Sequence, residues 1–249
     1  MHSYAQTNIQ LFNQLNRLGY SRFEVKSVSN AYKLVVQLFT GRFRPSGKTF
    51  IAHLVGTASI LTQLQLSYQL VIAGLLHAVY SHGDFGTAQT GITKTKQQQV
   101  VQVVGQNVEE YIARYTSLRW DLESIPAVLQ QLDTLDEIGR NVLLMRLANE
   151  LEERLDLGIL YCGEAKYQRY AERDRHLPEI AQKLGYPMLA MEFDIVFREL
   201  DEAELSAVIC PATEQEYSTL VTPNSCQRKF PVFVQQTFAH TLNSGRLSF

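Results

Sequence analysis

Apolar residues return every three or four positions through most of the first 200 residues, and strand-like alternation is nearly absent. A chain spaced this way can bury its apolar stripes only by packing helix against helix, so the fold class is all-α. Ile9, Leu11, Phe12, Leu15 and Leu18 mark a first amphipathic helix, which Gly19 is placed to end. Ser21-Arg22-Phe23-Glu24 fits a capping box, in which Ser and Glu each satisfy a free backbone N–H. It opens a helix predicted to run to about Thr40, stopped at Gly41. Arg42 to Lys48 (RFRPSGK) is a loop, because Pro45 and Ser46-Gly47 interrupt the period. Further helices are predicted over 49–64, 67–80, 97–115, 136–157, 164–184 (with Pro178 starting a new segment) and 188–207. After Pro211 the pattern weakens, and only 232–242 suggests a short final helix. The organisation read from this is a helical domain over 1–210, with 211–249 as an extension packed on it.

With 249 residues, 45% of them hydrophobic, the chain can bury a substantial core. A formal net charge of -2 argues against general binding to nucleic-acid polymers or acidic membranes. The longest strongly apolar stretch, Leu70 to Tyr80, is too short to span a bilayer. The first residues, MHSYAQTNIQLFNQL, lack the basic start and apolar run of a signal peptide. Cys162, Cys210 and Cys226 form no CxxC pair and read as reduced thiols. These features together predict a cytoplasmic protein.

His53 and His77 fall inside two consecutive apolar helices, where an imidazole needs a partner for each nitrogen. The run His77-Ala-Val-Tyr-Ser-His82-Gly-Asp84 places two imidazoles and a carboxylate at a helix end. Histidine and carboxylate are ordinary ligands for Zn, Mn or Fe. Arg42, Arg44 and Lys48 lie on the loop just before the His53 helix, and cations there suit an anion. On the predicted 136–157 helix, Arg146, Glu150 and Arg154 are spaced as a solvated salt-bridging face, with Asn149 and Glu153 on a neighbouring one.

The segment from Arg42 to Gly86 resembles the hydrolase region of RelA/SpoT-type proteins, part of the HD phosphohydrolase superfamily. The matching elements are the Arg44-x-Ser46-Gly47 loop, the His53 helix and Ala73-Gly-Leu-Leu-His77. Arg146-Leu-Ala-Asn149-Glu resembles the family's Leu-Ala-Asp helix, and Ala181-Gln-Lys-Leu-Gly185 its Ala-His-Arg-Leu-Gly segment. The likeness covers roughly residues 20 to 187. It implies an HD-like helical bundle and one divalent cation held by a histidine, a His-Asp pair and a later Asp. The implied chemistry is hydrolysis of the 3′-pyrophosphate of guanosine tetra- and pentaphosphate. Related HD proteins hydrolyse other nucleotides, and some with two irons are oxygenases.

Here His53 and His77 match the first two ligands, but Ala78 stands for the pair's aspartate and Asn149 for the last one. Ser81 and His82 stand where the hydrolases carry Glu-Asp. One expectation is a rewired metal-dependent hydrolase for a small anionic, nucleotide-like substrate. Its divalent metal (Mn, Fe or Zn) would be held by His53, His77, His82 and Asp84. His82, Asp84, Asn149 and Glu153 would act on water or substrate, and Arg44, Lys48, Tyr80 and Arg146 would bind substrate. Its rivals are a catalytically silent nucleotide-sensing or interaction module and an iron oxygenase. A homodimer is compatible with the sequence.

Overall fold

A computed structural model describes residues 4–87, 89–162, 171–203 and 219–221. The fold is all-α, as the periodicity predicts. The helices are α1 (Asn8–Arg17), α2 (Arg22–Phe39), α3 (Phe50–Gln63), α4 (Tyr68–Leu75), α5 (Val79–His82) and α6 (Lys94–Val104). They continue with α7 (Gln106–Ser117), α8 (Ile125–Gln131), α9 (Glu137–Leu155), α10 (Leu177–Lys183) and α11 (Pro187–Glu202). Strand is confined, among the described residues, to the two-residue pieces Arg42–Phe43 and Thr219–Leu220. The chain divides into Met1–Thr219 and Leu220–Phe249. The boundary expected after residue 210 and the helix expected over 232–242 lie outside the described residues.

Local chemistry sets the element ends. Ser21 and Glu24 close the expected capping box on α2, and Thr7 with Gln10 closes another on α1. Thr49 and Asp136 cap α3 and α9, each side chain accepting a backbone N–H three residues on. Two predicted helices are broken. The 97–115 helix is interrupted at Gly105, whose φ of 83° no other residue adopts cheaply. The 67–80 helix stops at Leu75 and resumes at Val79, because His77 turns its own ring Nδ1 onto the Gly74 carbonyl at 2.7 Å.

Two helices organise the core. α3 packs on α1, α2, α4 and α9, and α9 packs on α3, α4, α7 and α11. From His53 to Thr62 every residue of α3 is buried. Its polar side chains there are satisfied: Thr57 and Thr62 donate to the carbonyls of His53 and Ala58, and Ser59 donates to Gln14. No described helix is long and apolar enough to cross a membrane.

Candidate functional site

The site is the seam where α3, α9 and the 42–48 loop meet. α3 brings His53 there, and α4 ends so that His77 reaches it from the side. Both imidazoles are buried. His53 Nδ1 bonds the buried Glu152 carboxylate of α9, and His53 Nε2 faces His77 Nε2 at 3.3 Å. The Gly74 carbonyl only accepts, so His77 Nδ1 carries the hydrogen and His77 Nε2 is a lone pair. A hydrogen bond between the two rings therefore needs its hydrogen on His53 Nε2. Burial, and then the neighbouring His53, Arg44 and Arg146, push the His77 pKa well below the ordinary histidine value.

The loop cations arrive already paired. Arg44 binds Glu153, while Lys48 binds Glu152 and sits 3.1 Å from Asp156. Burial opposes charge on Lys48, Glu152 and Glu153, but the pairing more than offsets it. Glu152 and Glu153 are held below the ordinary carboxylate range, chiefly by His53 and Lys48 for the first and Arg44 and His53 for the second. Lys48 is raised by Glu152 and Asp156. Asn149 donates to Glu153 at 3.4 Å. Arg44, Ser46, Lys48, His53, Glu152 and Glu153 are among the residues lining a cavity of about 30 Å³. That volume holds a water or two, not a nucleotide.

Glu152 was not among the sequence candidates, yet it is the hub of the site. The signal was present as Gly56, one helical turn beyond His53. A Cβ at Gly56 would lie 2.6 Å from Glu152 Oε1 and 2.7 Å from its Cγ. Gly56→Ala should therefore push Glu152 off His53 and cost about 1–3 kcal/mol by overpacking. Urea unfolding measures the loss, and an unchanged midpoint would show that Glu152 has another seat.

Other candidates lie elsewhere. His82 packs its ring on Phe50 with centroids 5.0 Å apart, and its buried Nδ1 has no partner. Asp84 is half exposed, accepts the Gly86 N–H at 2.9 Å and lies 3.9 Å from Arg42, as a turn residue does. Tyr80 is buried and donates to Glu109 at 2.7 Å, away from the cavity lining. Arg146 lies between the rings of Tyr115 and Trp120 and pairs with Glu150. Its helix face is not solvated: Glu150 and Arg154 are wholly buried, because Arg173 and Asp174 cover them.

The donor set does not fit a divalent cation. A catalytic ion takes three protein ligands and a water. The expected set of His53, His77, His82 and Asp84 does not converge. No group of three His, Cys, Asp or Glu among the described residues could hold a metal. The two facing Nε2 atoms are two donors, Ala78 supplies none, and Asn149 is turned to Glu153. The neighbouring carboxylates are held by Arg44 and Lys48.

Residues 34–119 match the model of a family described as a domain of unknown function, DUF6817. The chain is 25% identical over 187 residues to the guanosine-3′,5′-bis(diphosphate) 3′-pyrophosphohydrolase of Borreliella burgdorferi, over 72% of this chain and 26% of that one. It is 29% identical over 111 residues to the bifunctional (p)ppGpp synthase/hydrolase SpoT of Escherichia coli K12, over 43% of this chain and 14% of that protein. The chain is similar to these hydrolases. It spans about a quarter of the length of the first of them. A solved structure described as a metazoan ortholog of SpoT that hydrolyses ppGpp is 18% identical, with a TM-score of 0.46, and covers 72% of this chain and 96% of that one.

Proposed function

We propose that this domain binds a nucleotide-like phosphorylated molecule between the 42–48 loop and α9, as a sensing or interaction module without metal-supported hydrolysis. The observation that carries the reading is the pairing of Arg44 and Lys48 with carboxylates in one cavity. Similarity to guanosine-3′,5′-bis(diphosphate) hydrolases supplies the ligand class. A phosphate group offers the guanidinium of Arg44 a two-pronged acceptor with more charge than a carboxylate. Lys48 adds a point charge beside it. Entry of the ligand then requires Glu152 and Glu153 to give up their cations and the cavity to widen.

The carboxylates thus compete with the ligand, and Glu153→Gln should raise affinity for a phosphorylated guanine nucleotide about tenfold or more. Calorimetric titration of both proteins with guanosine diphosphate and guanosine-3′,5′-bis(diphosphate) tests this. Absence of heat from both proteins would end the reading. A metal-dependent hydrolase acting on the same class of substrate is the second reading, favoured by the facing Nε2 atoms. It requires pyrophosphate release that depends on added Mn, Fe or Zn and is lost in His53→Ala. The oxygenase reading needs the same missing ligands and has no observation in its favour.

A further inference from the structure

We infer that the groove between α6 and α7 is a second binding site, for a small molecule that presents an ammonium or guanidinium group to Glu109. The groove has a volume of about 500 Å³ and is lined by Lys94, Gln97, Gln98, Val101, Gln102, Gln106 and Glu109. That is ample for a small metabolite. It shares no lining residue with the cavity beside His53.

Glu109 decides the chemistry. It is only 2% exposed, and a carboxylate so buried is normally matched by a cation. Here one oxygen, Oε1, accepts from the Tyr80 hydroxyl at 2.7 Å and from Gln97 Nε2 at 3.1 Å. Both donors are neutral. No described residue pairs with Oε2, and no described Lys or Arg bridges to Glu109. Tyr80 is fixed as a donor, because burial and then Glu109 raise its pKa far above the ordinary tyrosine value.

The rest of the lining suits the body of such a guest. Gln98, Gln102 and Gln106 each offer an amide donor and acceptor, Val101 offers a methyl face, and Lys94 stands exposed where a ligand acceptor can reach it. A cation with several N–H donors is the complement of this surface. A purely anionic guest would meet the Glu109 carboxylate, which has no cation of its own among the described residues.

The test is calorimetric titration of the full chain with arginine, agmatine and spermidine. At least one should bind, and Glu109→Gln should weaken it tenfold or more. The substituted amide oxygen still accepts from Tyr80 and Gln97, so the fold is retained while the charge is removed. Val101→Arg gives a second route: it leaves Glu109 in place and sends a tethered guanidinium into the groove. It should abolish binding of the free cation and raise the unfolding midpoint. No binding of any of the three cations to the wild type would overturn the inference. Equal binding by Glu109→Gln, or full binding by Val101→Arg, would do the same.

Discussion

Glu150→Ala is expected to be the most damaging single substitution on α9, costing about 3–5 kcal/mol of stability. Glu150 is wholly buried and pairs with three guanidinium groups: Arg146, Arg154 at 2.8 Å and Arg173 at 2.5 Å. Burial alone would raise its pKa, and the three arginines reverse that and lower it. Removing the carboxylate leaves three cations around a hole, one of them the fully buried Arg154. Asp174 compensates in part, since it takes Arg154 Nε at 2.5 Å and Nη2 at 2.6 Å. At about 2–4 °C per kcal/mol for a domain of this size, the midpoint should fall by roughly 6–20 °C. Differential scanning calorimetry reads this directly, and a fall of only a degree or two would mean that water already reaches the cluster. Glu150→Gln should lose less, because its carbonyl oxygen still accepts from one guanidinium.

Lowering the pH from 7 to 5 should destabilise the wild type more than His82→Phe, by about 1–2 kcal/mol, taking about 1.4 kcal/mol per pKa unit. Burial, followed by Arg44 and Arg42, lowers the His82 pKa to about 4. Between the ordinary histidine value and that depressed one, the unfolded chain takes up a proton that the folded chain refuses. The unfolded state then binds more protons, so stability falls as pH falls. Phenylalanine keeps the ring against Phe50 and removes the titration. His77 works in the same direction in both proteins. Below the ordinary glutamate range, protonation of Glu150, Glu152 and Glu153 in the unfolded chain adds a further loss. Urea midpoints at the two pH values give the comparison. Identical pH slopes for wild type and His82→Phe would show that His82 protonates freely in the fold.

The fold was legible where signals are local. Capping residues such as Ser21 with Glu24 place the start of α2 without tertiary information. Gly105 was equally local but sat inside a strong apolar period, and the period masked its positive φ. The break at His77 is different in kind: it depends on an imidazole bonding a carbonyl, which no spacing reports.

The candidate site was legible in part. Arg44, Lys48, His53 and Glu153 do share one cavity, because the loop, α3 and α9 meet there. Asp84 looked like a ligand because of its distance along the chain from His82, but the turn at Gly86 takes its carboxylate. The Arg146–Glu150–Arg154 spacing suited a wet surface, and only the fold brings Arg173 and Asp174 over it. Glu152 escaped notice since its partner lies 99 residues away in sequence.

The position of α9 bears on how quickly anything enters or leaves the cavity. One helix end-to-end holds both the Glu150–Arg154 cluster and the Glu152–Glu153 pair, so sliding it would break two buried charge systems at once. The 42–48 loop meets α9 through its carboxylate partners, and it is closed on itself by the Arg44 N–H to Lys48 carbonyl bond at 2.7 Å and by a bridge between Phe43 and Thr49. Under the proposed function, exchange would require the loop to lift its two cations off α9. Under that proposal, raising ionic strength should weaken the hold of Arg44 and Lys48 on a phosphorylated molecule and shorten its residence time, without softening the helical core.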